Sequence, residues 1–501
     1  MKIAFFLDAP RGFGGAASLL LRQAKLMSEL YEVIVVIPCD ENGNGNEEGM
    51  RRCRKAQLPV KILSFGTSFD FRRIDFLGAI HAAKAISEFA EEERITFFHS
   101  VQLNIAAELA ARRLGIPHLM NVYQMKEADF KLVYGAIYPR YHLCDSQLYS
   151  AVWSKNLKIV SRCIRPLPPL CRQRKKRRYK MREFRIIMVG KVGVRKNQLV
   201  GIQAVERCLE DFDIKLTIAG DAEGEYAQEC QNYVLQKKLQ DRIRFLGFVE
   251  DIDSLMKSSD CMLCTSVDES FPTSIVEAVT YDTTVVTTPV AGVPELFTNG
   301  ENGFVSADFS ADCIAASLKE CLLAYASGEI ETIHTNASYT WENHFSPEVI
   351  RNQIEQYYCF VKDHFKAMDV PLEELELRVQ NTARLIEPAG LEKWMYESSL
   401  YYTLLKENIK NEKKAYIWGA GFFGKAAYEL LKALQLNIKL EAFVDRAKQG
   451  SYCSLPVLKP EEIPFTEDIY VFISFDYKKD EAADYLIGQG LSYNENIWLL
   501  P

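Results

Sequence analysis

The chain has 501 residues, of which 48% are hydrophobic and 25% are charged, and its formal net charge is -7. These fractions are typical of an ordinary globular protein, and the length predicts about three domains at about 150 residues each. The mild net charge excludes a nucleic-acid or membrane partner held by total charge alone, although a local cluster could still bind one. No window approaches the roughly 18 apolar residues of a membrane span, and the chain opens directly on a strand, so we expect a cytoplasmic protein.

The first predicted strand, Ile3 to Leu7, leads into a glycine loop and a helix that runs through Leu30. The spacing of Gly12, Gly14 and Ala17 imitates a dinucleotide-binding fingerprint. In that fingerprint, however, the glycines begin where the strand ends, whereas here four residues intervene. Gly14 and Gly15 instead indicate a loop whose backbone can approach a ligand closely.

Helices and strands then alternate through the first third of the chain, which predicts a parallel sheet with helices on both faces and ligands at the carboxyl ends of its strands. His99 ends one predicted strand and is therefore a candidate site residue, although a lone histidine is also a common structural residue. The predicted elements are a strand from Val33 to Pro38, helices from Ile74 to Glu92 and Ala106 to Leu114, and strands from Thr96 to His99 and His118 to Val122.

A proline-rich stretch and a basic run predict the first domain boundary, near residue 170. Eight of the eleven residues from Arg172 to Arg182 are basic. Three interpretations stay open: a solvated linker, a contact with nucleic acid, or attraction to an anionic membrane surface, where each Lys or Arg contributes about 1 kcal/mol. If the basic run has a binding function, we expect it to contact a membrane surface peripherally, and we expect no nucleic-acid partner.

The second domain contains an apolar strand, Cys261 to Cys264, that leads through a polar loop into a helix. The two cysteines form a CxxC pair, but within a buried strand we interpret them as core, and the thirteen cysteines with no repeated zinc pattern indicate a reducing compartment. Pro272 is placed to start the helix, so the amides of Thr273 and Ser274 would face a phosphate.

The same stretch resembles family 4 of the retaining glycosyltransferases, which have the GT-B fold. The family pattern is Glu, seven residues, Glu-Ala, and then a turn that ends in Gly-x-Pro-Glu. Here the pattern is Glu269, SFPTSIV, Glu277-Ala278 and Ala291-Gly292-Val293-Pro294-Glu295. The chain departs from it in Ser270 and in Ala291, where the family more often has glycine, and neither change removes a charged group.

The resemblance covers roughly residues 1 to 365 and implies two Rossmann-like domains facing across a cleft, 1–170 on the acceptor side and 171–365 on the donor side with a final helix that crosses back. It implies that Glu269 and His99 approach the donor sugar and that Glu277 holds the ribose. Lys191, in the place of a family Arg, and Lys196 would grip the diphosphate. The remaining expected donor contacts are Gly14, Gly15, Phe271, Pro272, Thr273 and Ser274.

The implied reaction moves a sugar, with retention, from a nucleotide sugar (a UDP-sugar favoured) to a hydroxyl of a glycan or lipid-linked acceptor in cell-surface polysaccharide synthesis. No metal or other cofactor is expected, because Asp211-x-Asp213 precedes a strand and Asp251-x-Asp253 suits a helix N-cap. Two alternatives stay open: a nucleotide-sugar oxidoreductase or epimerase, and a non-catalytic sugar-binding scaffold.

Residues 366–412 predict a helical connector, and residues 413–501 predict a third, small Rossmann-like module. After a strand from Ala415 to Trp418 come Gly419, Gly421 and Gly424, with Asp445 about twenty residues later, which is the dinucleotide-binding spacing. The segment is long enough for only half of such a fold. It therefore binds a nucleotide or serves as a docking unit, and we expect it to be separable from catalysis.

Overall fold

The computed structural model contains three α/β units that follow one another along the chain, each built on its own sheet, which confirms the predicted fold class. The basic run from Arg172 to Arg182 and Gly12 lie outside the residues that the structure describes. Those residues are 1–8, 14–39, 43–66, 76–102, 104–123, 140–157, 159–169, 183–367, 371–387, 405–406, 409, 411–466, 468–475, 479–492 and 495–500.

The first sheet has seven parallel strands in the order β3-β2-β1-β4-β5-β6-β7. Its central strands are apolar on both faces because helices cover both sides, and residues 3 to 6 are fully buried. The strands are β1 (Lys2–Phe6), β2 (Glu32–Pro38), β3 (Val60–Leu63), β4 (Phe97–Val101), β5 (His118–Asn121), β6 (Tyr141–Cys144) and β7 (Val160–Cys163), and the helices are α1 (Gly15–Met27), α2 (Glu47–Ala56), α3 (Phe76–Glu92), α4 (Ile105–Leu114) and α5 (Gln147–Leu157).

The second sheet has six parallel strands in the order β10-β9-β8-β11-β12-β13. The first sheet ends at Cys163 and the second begins at Phe184, so the predicted boundary at residue 170 lies between them. The strands are β8 (Phe184–Val189), β9 (Ile214–Ala219), β10 (Ile243–Gly247), β11 (Cys261–Cys264), β12 (Thr284–Thr287) and β13 (Phe304–Val305), and the helices are α6 (Gln198–Glu206), α7 (Glu225–Gln236), α8 (Ile252–Ser258), α9 (Thr273–Thr280), α10 (Ala311–Ser327) and α11 (Ile330–His344).

Both sheets reverse their strand order beside the first strand of the domain: β1 has β4 as its neighbour, and β8 has β11. The loops that leave two such strands at their carboxyl ends diverge and leave a crevice, which is where open α/β sheets bind ligands. In the second domain, the loops that flank this crevice are the ones that carry Lys196 and Glu269.

Helix α12 (Pro347–His364) returns the chain to the first domain, as the resemblance implied. Its buried residues Ile354, Tyr357 and Tyr358 belong to the core that contains β1 and β2. The first domain is therefore completed by a segment that comes after the whole second domain in sequence.

The third sheet has six strands in the order β16-β17-β15-β14-β18-β19, and β16 pairs antiparallel with β17. It is therefore a mixed sheet, with parallel pairing among the other five strands. The strands are β14 (Lys413–Trp418), β15 (Ile438–Val444), β16 (Gly450–Tyr452), β17 (Leu455–Leu458), β18 (Ile469–Ile473) and β19 (Ile497–Leu499), and the helices are α13 (Leu372–Ile386), which precedes the sheet, α14 (Phe422–Ala433) and α15 (Lys479–Gly488).

Helix α13 joins the third unit to the first domain. Its residues Leu372 and Val379 belong to one continuous buried cluster that includes both first-domain residues and the core of the third sheet. Its Glu376 also lies 3.0 Å from His81 Nε2 and 2.5 Å from Lys84 Nζ on α3. The third unit thus shares a core with the first domain, and its separability from catalysis stays a prediction.

Candidate active site

Glu269 is held by two cations from the loop after β8. Its Oε1 lies 2.7 Å from Lys196 Nζ and 3.0 Å from Arg195 Nη1, and its side chain is only 14% exposed. The backbone joins the two loops as well, because Val267 N–H donates to Arg195 O at 3.0 Å. The structure therefore brings Glu269 and Lys196 together.

Arg195 was not identified from the sequence, although the signal was available as an Arg-Lys pair after the glycine turn. Lys191, which was expected to take the family arginine's place, points elsewhere: its side chain is 72% exposed and its Nζ lies 3.4 Å from Asp221. The cation beside Lys196 at Glu269 is thus Arg195, and the structure does not bring Lys191 to this carboxylate.

Helix α9 begins beside this cluster. Pro272 is the N-cap residue, with a φ of -64° and no capping hydrogen bond from its own side chain, so the helix begins one residue later than predicted. Thr273 and Ser274 form the first turn, where backbone N–H groups have no partner within the helix and carry the positive end of the helix dipole. This helix start is chemically suited to an anionic group.

Phe271 lies in the core rather than in the cleft. It is 2% exposed, its ring centroid is 5.7 Å from that of Phe345, and the guanidinium of Arg165 lies 5.6 Å from the ring centroid. The expected donor contact of this side chain is therefore not supported, because packing occupies the ring. Phe271 instead supports the loop that carries Glu269.

Glu277 faces the first domain. Its Oε1 accepts a hydrogen bond of 2.6 Å from Arg22 Nη2 on α1, and the Glu277 side chain is 13% exposed. Arg22 also donates through Nη1 to Leu167 O at 3.3 Å. The carboxylate expected at a ribose is thus paired with an arginine that the sequence analysis did not identify.

Gly14 and Gly15 form the start of α1. Gly14 is the N-cap residue, without a side-chain cap, and a Cβ added at either glycine would touch no atom within 4 Å. No steric contact among the described residues explains these glycines.

His99 lies in the core of the first domain. Strand β4 extends two residues beyond it, and its side chain is fully buried, with Nδ1 2.6 Å from Tyr358 Oη and Nε2 2.8 Å from Asn121 Oδ1. Burial lowers the pKa of this imidazole to about 3. With both nitrogens engaged by buried protein groups, His99 is placed as a structural residue, which corrects the expectation that it faces a sugar.

A polar seam joins the two domains next to Glu269. Ser270 donates a hydrogen bond to Asp145 Oδ1, and the hydroxyls of Ser270 and Ser146 lie 3.0 Å apart. Burial raises the pKa of Asp145 to about 7, the hydrogen bond from Ser270 opposes that rise, and Glu269 adds to it. The structure thus places Asp145 and Ser146, which directly follow β6, against the loop that carries Glu269.

In the third unit, the glycine loop has the close geometry of a strand-to-helix turn. Gly419 has a φ of +125°, and a Cβ on Gly424 would lie 1.7 Å from Gly419 O, so both positions need glycine. Asp445 accepts backbone N–H bonds from Ala420 at 3.0 Å and Ala447 at 2.9 Å. Its carboxylate therefore stabilises the loop itself, and the start of α14 follows the N-cap residue Gly421.

The paired aspartates that imitate a metal motif have other partners. Asp213 pairs with Arg242, and Asp251 accepts the N–H of Ser254 at 3.0 Å as the N-cap of α8, as predicted. Across the described part of the chain, no cluster of three or more His, Cys, Asp or Glu side chains has a metal-binding arrangement.

Two parallel α/β domains that meet across a polar seam, with a last helix that crosses back, define the GT-B fold. Comparison with solved structures supports this class: Anabaena HepE in complex with UDP-glucose superposes with a TM-score of 0.60 at 19% identity, over 72% of this chain and 100% of that one. A glycosyltransferase from Rickettsia africae has a TM-score of 0.59 at 18% identity, over 72% and 99%.

Residues 172–329 match the family described as "Glycosyl transferases group 1". The chain is 31% identical over 134 residues to N-acetyl-alpha-D-glucosaminyl L-malate synthase of Bacillus anthracis, which is 26% of this chain and 34% of that protein. It is 30% identical over 167 residues to a phosphatidylinositol N-acetylglucosaminyltransferase subunit of Homo sapiens, which is 32% and 34%. The chain thus spans about a third of the length of these relatives.

Proposed function

We propose that the protein is a retaining glycosyltransferase of the family 4 type. It moves a sugar from a nucleotide-sugar donor, with UDP as the favoured nucleotide, to a hydroxyl of a glycan or glycolipid, in cell-surface polysaccharide synthesis. The observation that carries the proposal is the convergence of Lys196 and Arg195 on Glu269, next to the start of α9. This cluster lies within the segment that matches the glycosyltransferase family.

Charge on the leaving diphosphate grows as the sugar leaves, so groups fixed in advance around that position lower the barrier. Lys196, Arg195 and the backbone N–H groups of Thr273 and Ser274 supply positive charge there, and Glu269 orients the sugar. The acceptor oxygen bonds to the anomeric carbon on the face from which the phosphate departs, and its proton passes to the departing phosphate oxygen. No covalent nucleophile is required, because the protein acts by position and charge.

Glu277 holds the ribose hydroxyls in this proposal. Its carboxylate pairs with Arg22 at 2.6 Å, so a nucleotide that binds there competes with the guanidinium for this carboxylate.

The choice of UDP is supported by two solved neighbours, both of them Anabaena HepE, whose structures contain UDP-glucose or UDP with glucose. Both curated relatives named above carry N-acetylglucosaminyl in their names. UDP-glucose and UDP-N-acetylglucosamine are therefore the first donors to test.

A cytoplasmic site at the inner membrane surface completes the proposal, with the basic run from Arg172 to Arg182 as the contact. Among the described residues, no helix is long and apolar enough to cross a bilayer. Binding to vesicles with and without anionic lipid, at low and high salt, tests the contact, since surface attraction of clustered cations weakens as salt rises.

The proposed activity is tested by incubating the protein with a panel of UDP-, GDP- and ADP-sugars and measuring release of free nucleotide. We expect slow release from at least one UDP-sugar, because water replaces the acceptor. Release from none of the panel, by a protein that melts cooperatively, contradicts the proposal. Retention is tested on the product, whose anomeric proton coupling should match that of the donor.

A further inference from the structure

We infer that Glu295 is a positioning residue that clamps the second domain onto the first and thereby fixes the loop that carries Glu269. The inference concerns a residue that the proposed chemistry does not use. The expected effect on turnover of a UDP-sugar rests on the proposed function, whereas the expected effect on the distance between the domains does not.

Glu295 reaches across the domain boundary to the start of α5. Its Oε2 accepts the N–H of Gln147 at 2.9 Å, and its Oε1 accepts the N–H of Leu148 at 3.0 Å. A carboxylate at this position satisfies two N–H groups that have no partner within their own helix and complements the helix dipole. Glu295 thus acts as an N-terminal cap supplied from another domain.

The cap is also charge-balanced. Arg165 of the first domain lies with Nη2 2.7 Å from Glu295 Oε2, and the two side chains are 8% and 17% exposed. The other guanidinium nitrogen, Nη1, donates to Asp145 O at 3.1 Å. Arg165 therefore connects the Glu295 cap to the strand end that contacts the loop carrying Glu269.

Both chain neighbours of Glu269 are held by the first domain. Tyr149 Oη donates to Asp268 Oδ1 at 3.3 Å, and Ser270 is hydrogen bonded to Asp145 and Ser146. Glu269 itself pairs with cations of the second domain. Its position is thus determined by both domains, and it is fixed only where they are in contact.

The fit at the seam leaves no room for a side chain at Gly292. A Cβ there would lie 2.6 Å from Ser146 Cβ and 2.9 Å from both Phe271 Cδ2 and Ser270 O. Its φ of -75° is ordinary, so the reason for glycine is close packing rather than backbone conformation: Ser146 approaches from across the seam, and Ser270 and Phe271 approach from the loop that carries Glu269. Gly292→Ala is therefore a second way to open the same contact, without touching a charge.

The groups proposed to hold a nucleotide's phosphates all lie in the second domain. Loss of the clamp should consequently leave affinity for free UDP within about threefold of wild type while turnover of a UDP-sugar falls. We expect a tenfold to hundredfold fall in kcat, the range for losing charge-assisted hydrogen bonds. If Glu295 only packed against its immediate neighbours, its loss would leave the distance between the two domains unchanged and would not lower kcat more than it lowers UDP affinity.

The test compares Glu295→Ala and Gly292→Ala with wild type and with Glu331→Ala, an exposed glutamate of the same domain. We expect small-angle X-ray scattering to give a larger radius of gyration for the two seam variants and an unchanged one for Glu331→Ala. Glu295→Asp, which keeps the carboxylate, should restore part of the turnover.

An unchanged radius of gyration in both seam variants overturns the inference, as does a loss of UDP affinity equal to the loss of turnover. If Glu295→Ala fails to fold, Gly292→Ala decides the question. If the wild type releases UDP from no donor, the proposed function fails, and the scattering comparison still decides the clamp.

Discussion

Asp145→Asn tests the electrostatics of the seam between the two domains. The Asp145 carboxyl is buried and accepts a hydrogen bond from Ser270, and burial raises its pKa from 3.8 to about 7. A rise of roughly three units, at about 1.4 kcal/mol per unit, means that ionised Asp145 costs the folded protein about 4 kcal/mol. Asparagine can still accept the hydrogen bond from Ser270, but it carries no charge.

The raised pKa of Asp145 makes the free energy of unfolding fall as pH rises. Because the folded pKa lies above that of the unfolded chain, the stabilising contribution of protonated Asp145 is fully present below about pH 4 and is lost as pH rises to about 7. The free energy of unfolding of Asp145→Asn minus that of wild type should therefore grow by about 4 kcal/mol across this range and stay constant above it.

The assay is urea unfolding followed by tryptophan fluorescence at several pH values from 4.5 to 8, with Asp363→Asn at an exposed site of α12 as the control. A difference between Asp145→Asn and wild type that does not change with pH would refute the reasoning. It would mean that Asp145 is ionised and well solvated in the folded protein.

Three further predictions follow from the site and the fold. Glu277→Ala should weaken UDP binding, measured by calorimetry, about tenfold to a hundredfold. Arg22→Ala should strengthen UDP binding, because Arg22 competes for the Glu277 carboxylate. Unchanged affinity in both variants would refute the proposal that Glu277 holds the ribose. His99→Phe should lower the free energy of unfolding by about 1–3 kcal/mol for each buried partner left unpaired, and UDP affinity should not change. A change in UDP affinity without a change in stability would instead indicate that His99 contacts the donor. A chain that ends at Asn411 should melt at a lower temperature than the full chain, because removing the third sheet uncovers the apolar face of α13, and equal melting temperatures would contradict the shared core.

Local sequence patterns were sufficient to predict the alternation of strands and helices. The apolar run from Ile3 to Leu7 and the spacing of apolar residues after Pro272 have local causes, burial on both faces in one case and one buried helix face in the other. The structure places β1 at Lys2–Phe6 and α9 at Thr273–Thr280, so the errors are of one or two residues.

Pairings between distant segments could not be predicted in this way. Arg22 and Glu277 are 255 residues apart, and Glu295 meets Gln147 across 148 residues, so no local spacing connects them. The prediction for His99 failed for a related reason. Its strand runs two residues further than predicted, and Tyr358, which bonds to it, arrives on a helix that the chain reaches only after the second domain.

The most direct test of the account compares Lys196→Met with Lys191→Met in the release of UDP from UDP-glucose or UDP-N-acetylglucosamine. Lys196 lies 2.7 Å from Glu269 in the proposed diphosphate site, whereas Lys191 is exposed and pairs with Asp221. The account predicts that Lys196→Met slows release at least tenfold and that Lys191→Met stays within about threefold of wild type. Equal rates for Lys196→Met and wild type, in folded protein, would contradict the assignment of the donor site to this cluster.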